Sequence, residues 1–279
     1  MELIEPEVEL LSELDITRES HIARCTRVCY GREYKEPNQE ADKKLVEGLI
    51  KRGHLSMLRH ASMYFGHIED ISQIATHIAN SCFWNCDAIR GYASTNLQEF
   101  TQSGVGKEPI TVIDNKKFLE DCAKHPNLFE LYRLTFCITT QISTSRELNR
   151  VSPNNIAERS TRFCSANGGL AICRPWWIKS PIEDIISAVS YYNVACEAEK
   201  AYGRLLLRGM KPEDARGVLP LDTATKVIYT YSVQEWQHIL DLRLYDKTGK
   251  AHPNCHVVMQ MVKDQINQFA KEHNIDYQV

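Results

Sequence analysis

The chain has 279 residues and a mass of 32.0 kDa, with 43% hydrophobic and 25% charged residues, a composition that can bury one large core and excludes disordered and fibrous classes. Its 33 basic side chains face 36 acidic ones for a net charge of -3, which lacks the basic excess of a dedicated nucleic-acid binder and predicts no nucleic-acid partner. An anionic ligand must therefore be held by a local cluster of arginines.

No apolar run reaches the roughly 18 residues a membrane helix needs, and the first residues, MELIEPEVEL, are acidic where a secretory signal is basic and then apolar. Both features predict a cytoplasmic protein with no membrane association. The ten cysteines include two i,i+4 pairs, Cys25 with Cys29 and Cys82 with Cys86, but no CxxC. That scatter reads as reduced, mostly buried thiols.

Residues 17–30 predict a first helix, with Asp15 or Thr17 available as its cap, and 39–52 a second, in which Leu45, Val46, Leu49 and Ile50 form an apolar stripe closed by Gly53. The aromatic, partly alternating segment 60–68 predicts a strand. Residues 70–103 carry a weak helical pattern, and 103–109 (SGVGKEP) read as a surface loop. A helix end running into a strand is expected at 129–139, then a helix at 141–150. Ser180, Pro181 and Glu183 spell a capping box with proline at the first helical position, opening a long helix to about residue 208. A short helix at 212–218 precedes a β-branched, aromatic strand at 223–232, and helices follow at 233–244 and 252–271. No internal repeat appears. The expected architecture is a single α+β domain over 1–279, with a small mixed or antiparallel sheet flanked by several helices.

Common ligand motifs are absent. Residues 104–107 (GVGK) lack the earlier glycine of a phosphate loop, Thr101 standing there, and Glu108 replaces the magnesium-binding hydroxyl. No GxGxxG occurs. His252 and His256 have metal-ligand spacing without the glutamate of HExxH or a third ligand, so no metal site is predicted. Cys255, in NCHVVMQ, resembles the cysteine segment of the cysteine-dependent thymidylate synthases, but the stripe Val257, Val258, Met261 and Val262 reads it as part of a core helix.

Three segments, in order and spacing, resemble the flavin-dependent thymidylate synthases (the ThyX family). Residues 53–65 (GHLSMLRHASMYF) are similar to the family's GH-x-S-x-x-EH-x-x-F-x-F. Residues 145–163 (SRELNRVSPNNIAERSTRF) are similar to the region of its RHR-x7-S signature and the following S-x-RY. Residues 215–244 (ARGVLPLDTATKVIYTYSVQEWQHILDLRL) are similar to AR-x-x-LP-x-x-x-x-T and a helix ending in LRL. The stretch 69–128 resembles the insertion of a larger variant of the family, with Ser94, Thr95 and Asn96 in place of its TTN.

The resemblance implies an enzyme that methylates dUMP to dTMP, with methylenetetrahydrofolate as carbon donor, reduced FAD as hydride source, NADPH as reductant, and a homotetramer sharing its sites between subunits. It assigns Glu147, Arg150, Glu158, Arg159, Ser160, Thr161, Arg162, Arg216 and Arg243 to the nucleotide, with Arg216 supplied by another subunit and Arg243 also catalytic through its charge on the pyrimidine. To FAD it assigns His60, Ser62, Arg150, Val151, Ser152, Glu158, Ser232 and His238. A phosphate monoester near neutral pH wants guanidinium forks and hydroxyls, which residues 158–162 supply. The signature is altered: Val151 and Ser152 stand where the family has His and Arg, Arg59 replaces the acid of its EH pair, and Phe163 its tyrosine. Two readings stay open. One is an active flavoenzyme in which Arg59 or Arg159 replaces the lost cation. The other is a divergent member that binds a pyrimidine nucleotide without making thymidylate, either non-catalytic or modifying C5 of a different nucleotide.

Overall fold

The computed structural model describes residues 1–32, 36–70, 72–103, 111–151, 155–162, 169–179 and 185–279. In chain order the elements are β1 (Glu2–Ile4), β2 (Glu7–Leu10), α1 (Arg18–Cys29), α2 (Gln39–Lys51), a 3-10 turn (Leu55–His60), β3 (Ser62–Gly66), α3 (Ser72–Asn80), β4 (Asn85–Asp87), β5 (Tyr92–Asn96), α4 (Leu97–Ser103), β6 (Thr111–Ile113), α5 (Asn115–Lys124), a second 3-10 turn (Pro126–Leu131), β7 (Arg133–Gln141), α6 (Ile142–Leu148), β8 (Ile156–Glu158), β9 (Ala171–Cys173), α7 (Ile185–Leu207), α8 (Pro212–Ala215), a third 3-10 turn (Arg216–Val218), β10 (Ala224–Ser232), α9 (Val233–Arg243) and α10 (Pro253–Glu272).

The helix starts follow capping chemistry. Thr17 accepts the Ser20 N–H ahead of α1, Asn38 accepts that of Ala41 ahead of α2, and Ser232 and Glu235 form a reciprocal capping box on α9. α10 opens with Pro253 at its first position, behind His252 as cap. The expected capping box at 180–183 and most of the expected loop at 103–109 lie outside the described residues.

The expected α+β architecture is present, with its strands divided among two antiparallel four-stranded sheets and a parallel pair, β1 with β9, instead of one small sheet. The first sheet has the order β2-β7-β10-β8, with β7 and β10 paired over nine residues from Ala224↔Gln141 to Ser232↔Arg133. The second, β4-β5-β3-β6, is built on β3 and drawn largely from 69–128. The weak helical pattern over 70–103 thus contains two strands. Their connection depends on Gly91, which has φ +68 and whose absent Cβ would lie 2.5 Å from the Ile68 carbonyl oxygen, so only glycine fits there.

The central sheet separates two environments. Alternation along β10 puts Thr225, Val227, Tyr229 and Tyr231 on one face and Ile228, Thr230 and Ser232 on the other. The first face meets α9 and α10 through Phe136, Ile138, Trp236 and Val258 in the main core, where the Trp236 indole N–H donates to the Leu134 carbonyl at 3.1 Å. The second meets α1 through Cys25, Cys137, Ala157 and Ile228. This division decides where each predicted site residue lies.

Candidate nucleotide site

Glu158 ends the edge strand β8, opposite Val227 and on the same face. Three donors converge on its carboxylate: the Ser145 hydroxyl at 2.7 Å, the Asn149 amide at 3.2 Å and the Thr225 hydroxyl at 3.2 Å. Tyr229 in turn donates to the Asn149 amide oxygen at 2.6 Å. These bonds tie α6, β8 and β10 together and fix the point from which the chain leaves the sheet.

That exit is the arginine loop. The Arg159 N–H donates to the Lys226 carbonyl and the Ser160 N–H to the Cys29 carbonyl, at 2.8 and 3.0 Å. The Ser160 hydroxyl then accepts the Arg162 N–H at 3.2 Å, a side-chain turn that presents two hydroxyls and two guanidinium groups within four residues. Arg162 donates through Nε and Nη2 to Glu213 Oε2, at 3.3 and 3.1 Å. Arg216 donates through Nη1 to the Thr161 hydroxyl at 2.8 Å and through Nε to the Glu213 carbonyl at 3.1 Å. Ser160, Thr161, Arg162 and Arg216 therefore meet within one chain. Arg216 of the same chain reaches the loop because α8 and the turn after it fold back onto it.

On the other side of α6, the Glu147 carboxylate accepts the His252 N–H at 3.2 Å, and its carbonyl accepts Arg243 Nε at 3.3 Å. Arg243 is half-buried at the end of α9, while Arg150 is exposed just beyond α6. Cys255 lies beside Glu147 but is fully buried, and burial followed by the neighbouring Glu147 carboxylate pushes its thiol up, away from the thiolate a nucleophile needs. The core-helix reading of Cys255 fits this placement.

Several of the residues assigned to FAD lie away from the arginine loop in this chain. His60 is fully buried on the opposite face of the sheet, with Nδ1 2.8 Å from the Thr230 hydroxyl, which is itself 2.8 Å from that of Thr135. Burial, reinforced by His21, Arg133 and Arg59, brings the His60 pKa down to about 3, so its ring is neutral. Ser62 is sealed by Glu13, which accepts both its N–H at 3.1 Å and its hydroxyl at 2.8 Å. Ser232 is occupied as the cap of α9. Val151 packs in the main core with Leu148 and Tyr229, His238 is exposed on α9, and Ser152 lies outside the described residues. Glu158, from the same set, reaches the edge of the nucleotide loop. Side-chain burial depends on tertiary packing, which a motif match does not carry.

A cleft of about 470 Å³ was missed in the sequence reading. It is lined by Thr26, Cys29, Tyr30, His54, Ser56, Met57 and Gln98. Cys29 belongs to both structures: its side of α1 forms the cleft wall and its carbonyl holds Ser160. Arg59 Nε donates to the Gln98 side chain at 2.8 Å, and its guanidinium sits 4.8 Å from the Phe83 ring centre. His54 and Ser56 come from the GH-x-S half of the first segment, the one sequence signal that pointed to this cleft.

Residues 10–80 and 87–270 match the family model described as thymidylate synthase complementing protein. The chain belongs to that family, the flavin-dependent thymidylate synthases. A flavin-dependent thymidylate synthase from Synechocystis sp. (strain ATCC 27184 / PCC 6803 / Kazusa) is 29% identical over 148 residues, covering 49% of this chain and 69% of the relative. Two structures of the UMP/dUMP methylase PolB from Streptomyces cacaoi are also similar. The one bound with 5-Br dUMP shows 17% identity and a TM-score of 0.46 over 97% of this chain and 93% of that one; the one bound with 5-Br UMP shows 16% and 0.47 over 99% and 94%. The flavin-dependent thymidylate synthase model spans both the arginine loop and the Arg243 helix. Among the described residues of this family member, no helix is long and apolar enough to cross a membrane.

Proposed function

We propose that this protein methylates C5 of a pyrimidine nucleoside monophosphate, dUMP foremost, as a cytoplasmic flavin-dependent thymidylate synthase. The observation that carries this reading is the meeting of Arg162, Arg216, Ser160 and Thr161 at the mouth of β8. Two guanidinium groups and two hydroxyls within hydrogen-bond reach of one another match a phosphate monoester in charge and in donor count. Arg159, exposed on the same loop, adds to the local positive field.

Arg243 would take the pyrimidine. Held at Nε by the Glu147 carbonyl, its guanidinium keeps its other donors to offset negative charge on the ring as C5 attacks the one-carbon donor, a fixed-dipole effect that can supply several kcal/mol of barrier lowering. Arg150, just beyond α6, and Glu158, bonded to Ser145 and Asn149, would line the same edge.

The sealed His60, Ser62, Ser232 and Val151 do not suit a flavin. The cleft beside the loop does: Tyr30 and Met57 offer apolar walls to a planar ring, and His54, Ser56 and Gln98 offer polar groups to its edge. When bound, FAD supplies the two electrons that reduce a methylene to a methyl group. Tyr30 and Met57 would orient the ring and exclude water, and the neighbouring Ser160 would link ring and phosphate sites through Cys29. Methylenetetrahydrofolate as donor, NADPH as reductant and a homotetramer complete the proposal.

The burial of the expected flavin contacts also favours a second reading, a family member that binds the nucleotide without making thymidylate. A visible absorption scan and a FAD titration of the purified protein separate the two. A flavin band near full occupancy supports the enzyme reading, whereas a colourless protein that cannot be reconstituted supports the other.

A further inference from the structure

The geometry points to Glu213 as an internal competitor for the nucleotide phosphate, a positioning residue that holds the arginine pair and sets how tightly a phosphomonoester binds. This rests on the nucleotide reading above and adds a residue that the family resemblance did not assign. Glu213 addresses both arginines at once. Its side-chain Oε2 takes the Nε and Nη2 edge of Arg162, and its backbone carbonyl takes Nε of Arg216. Nε and Nη2 are also a pair of donors that arginine uses to fork onto the oxygens of a carboxylate or phosphate.

Two anions cannot share that edge. The carboxylate and a phosphate oxygen would lie in contact without an intervening cation, so phosphate binding must displace Oε2 from Arg162. The backbone bond to Arg216 is indifferent to the side chain and stays. Glu213 therefore gives the site a built-in exchange: the carboxylate keeps Arg162 aligned, and it lowers the apparent affinity for any ligand that needs the same edge. The pair is open to solvent, with side-chain exposures of 56% for Arg162 and 36% for Glu213, so the exchange does not have to break a buried contact.

The test is Glu213→Gln, which preserves shape and the backbone carbonyl while removing the competing charge. Calorimetric titration with dUMP and with deoxyuridine, on the natural protein and on the variant, should show dUMP binding tightened by roughly 3- to 10-fold, the combined effect of an exposed ion pair and carboxylate–phosphate repulsion. Deoxyuridine affinity and the melting temperature should stay put, and inorganic phosphate should compete better against dUMP in the variant. A variant that binds dUMP equally or more weakly, while the natural protein binds it well, overturns the role of Glu213 and leaves the nucleotide site standing. An equal gain for deoxyuridine overturns it too, because the effect would not pass through the phosphate. Failure of both proteins to bind dUMP removes the nucleotide site and this inference with it.

Discussion

Replacing Arg162 by alanine removes an exposed guanidinium group that is paired with Glu213. In the folded chain its guanidinium bonds Glu213, while its backbone N–H, which the substitution keeps, donates to the Ser160 hydroxyl. An exposed pair of this kind contributes at most about 1 kcal/mol, so the variant should fold with little change in melting temperature. Its effect on the phosphate is larger. Hydrogen bonds to a charged group are worth roughly 1.5–3 kcal/mol, or about 10- to 150-fold in affinity. Solvent screening at this exposed position favours the lower part of that range. Titrating dUMP into Arg162→Ala at low and moderate salt should show about a tenfold or greater loss and a shallower salt dependence, with deoxyuridine unaffected. Unchanged dUMP affinity in a folded variant would refute the assignment of the loop to the phosphate.

Other consequences follow from burial. Val151→Ala should cost about 1–3 kcal/mol by leaving a hole in the main core, read as a lower urea midpoint; a stable variant with altered flavin affinity would place Val151 at the cofactor instead. Cys255→Ser should retain synthesis activity, because the buried thiol has no thiolate to offer; loss of activity in a folded Cys255→Ser protein would make it a nucleophile. Stability should fall as pH drops from about 6.5 toward 3. The unfolded chain protonates His60 near its ordinary value of 6.5, while burial keeps the folded form neutral down to about 3, and His21 is lowered by burial in the same sense. At pH 5 this amounts to about 2 kcal/mol for His60. Glu13, whose folded pKa is raised by burial, acts in the opposite direction, since the folded state takes up its proton first. An NMR titration in which the His60 ring becomes charged between pH 7 and 5 would show that it is not sealed.

The helices were largely legible because their signals are local. Thr17, Asn38, Ser232 and Pro253 mark starts that depend on neighbouring residues alone, and the β-branched run of β10 reads as a strand without reference to its partners. The second sheet was not legible. β4 and β5 are short and polar, with Ser94, Thr95 and Asn96 fully buried, and nothing in such a run announces a strand until β3 pairs with it. The same divide runs through the candidate site. The arginine loop was named by its match to the family's signature region, with residue chemistry in agreement, since phosphate recognition needs particular side chains close together. Glu213 went unnoticed because a lone carboxylate 51 residues from Arg162 acquires meaning only when α8 folds back. His60, Ser62 and Ser232 were assigned by motif position, yet tertiary packing buries them and gives them hydrogen-bond partners of their own.

Incubation of the purified protein with dUMP, methylenetetrahydrofolate, NADPH and FAD, followed by chromatographic identification of the nucleotide product, tests the central claim most directly. The account predicts dTMP formation that depends on the flavin and falls sharply in Arg162→Ala and Arg243→Ala. Recovery of unchanged dUMP from a flavin-loaded protein that binds the nucleotide would contradict it.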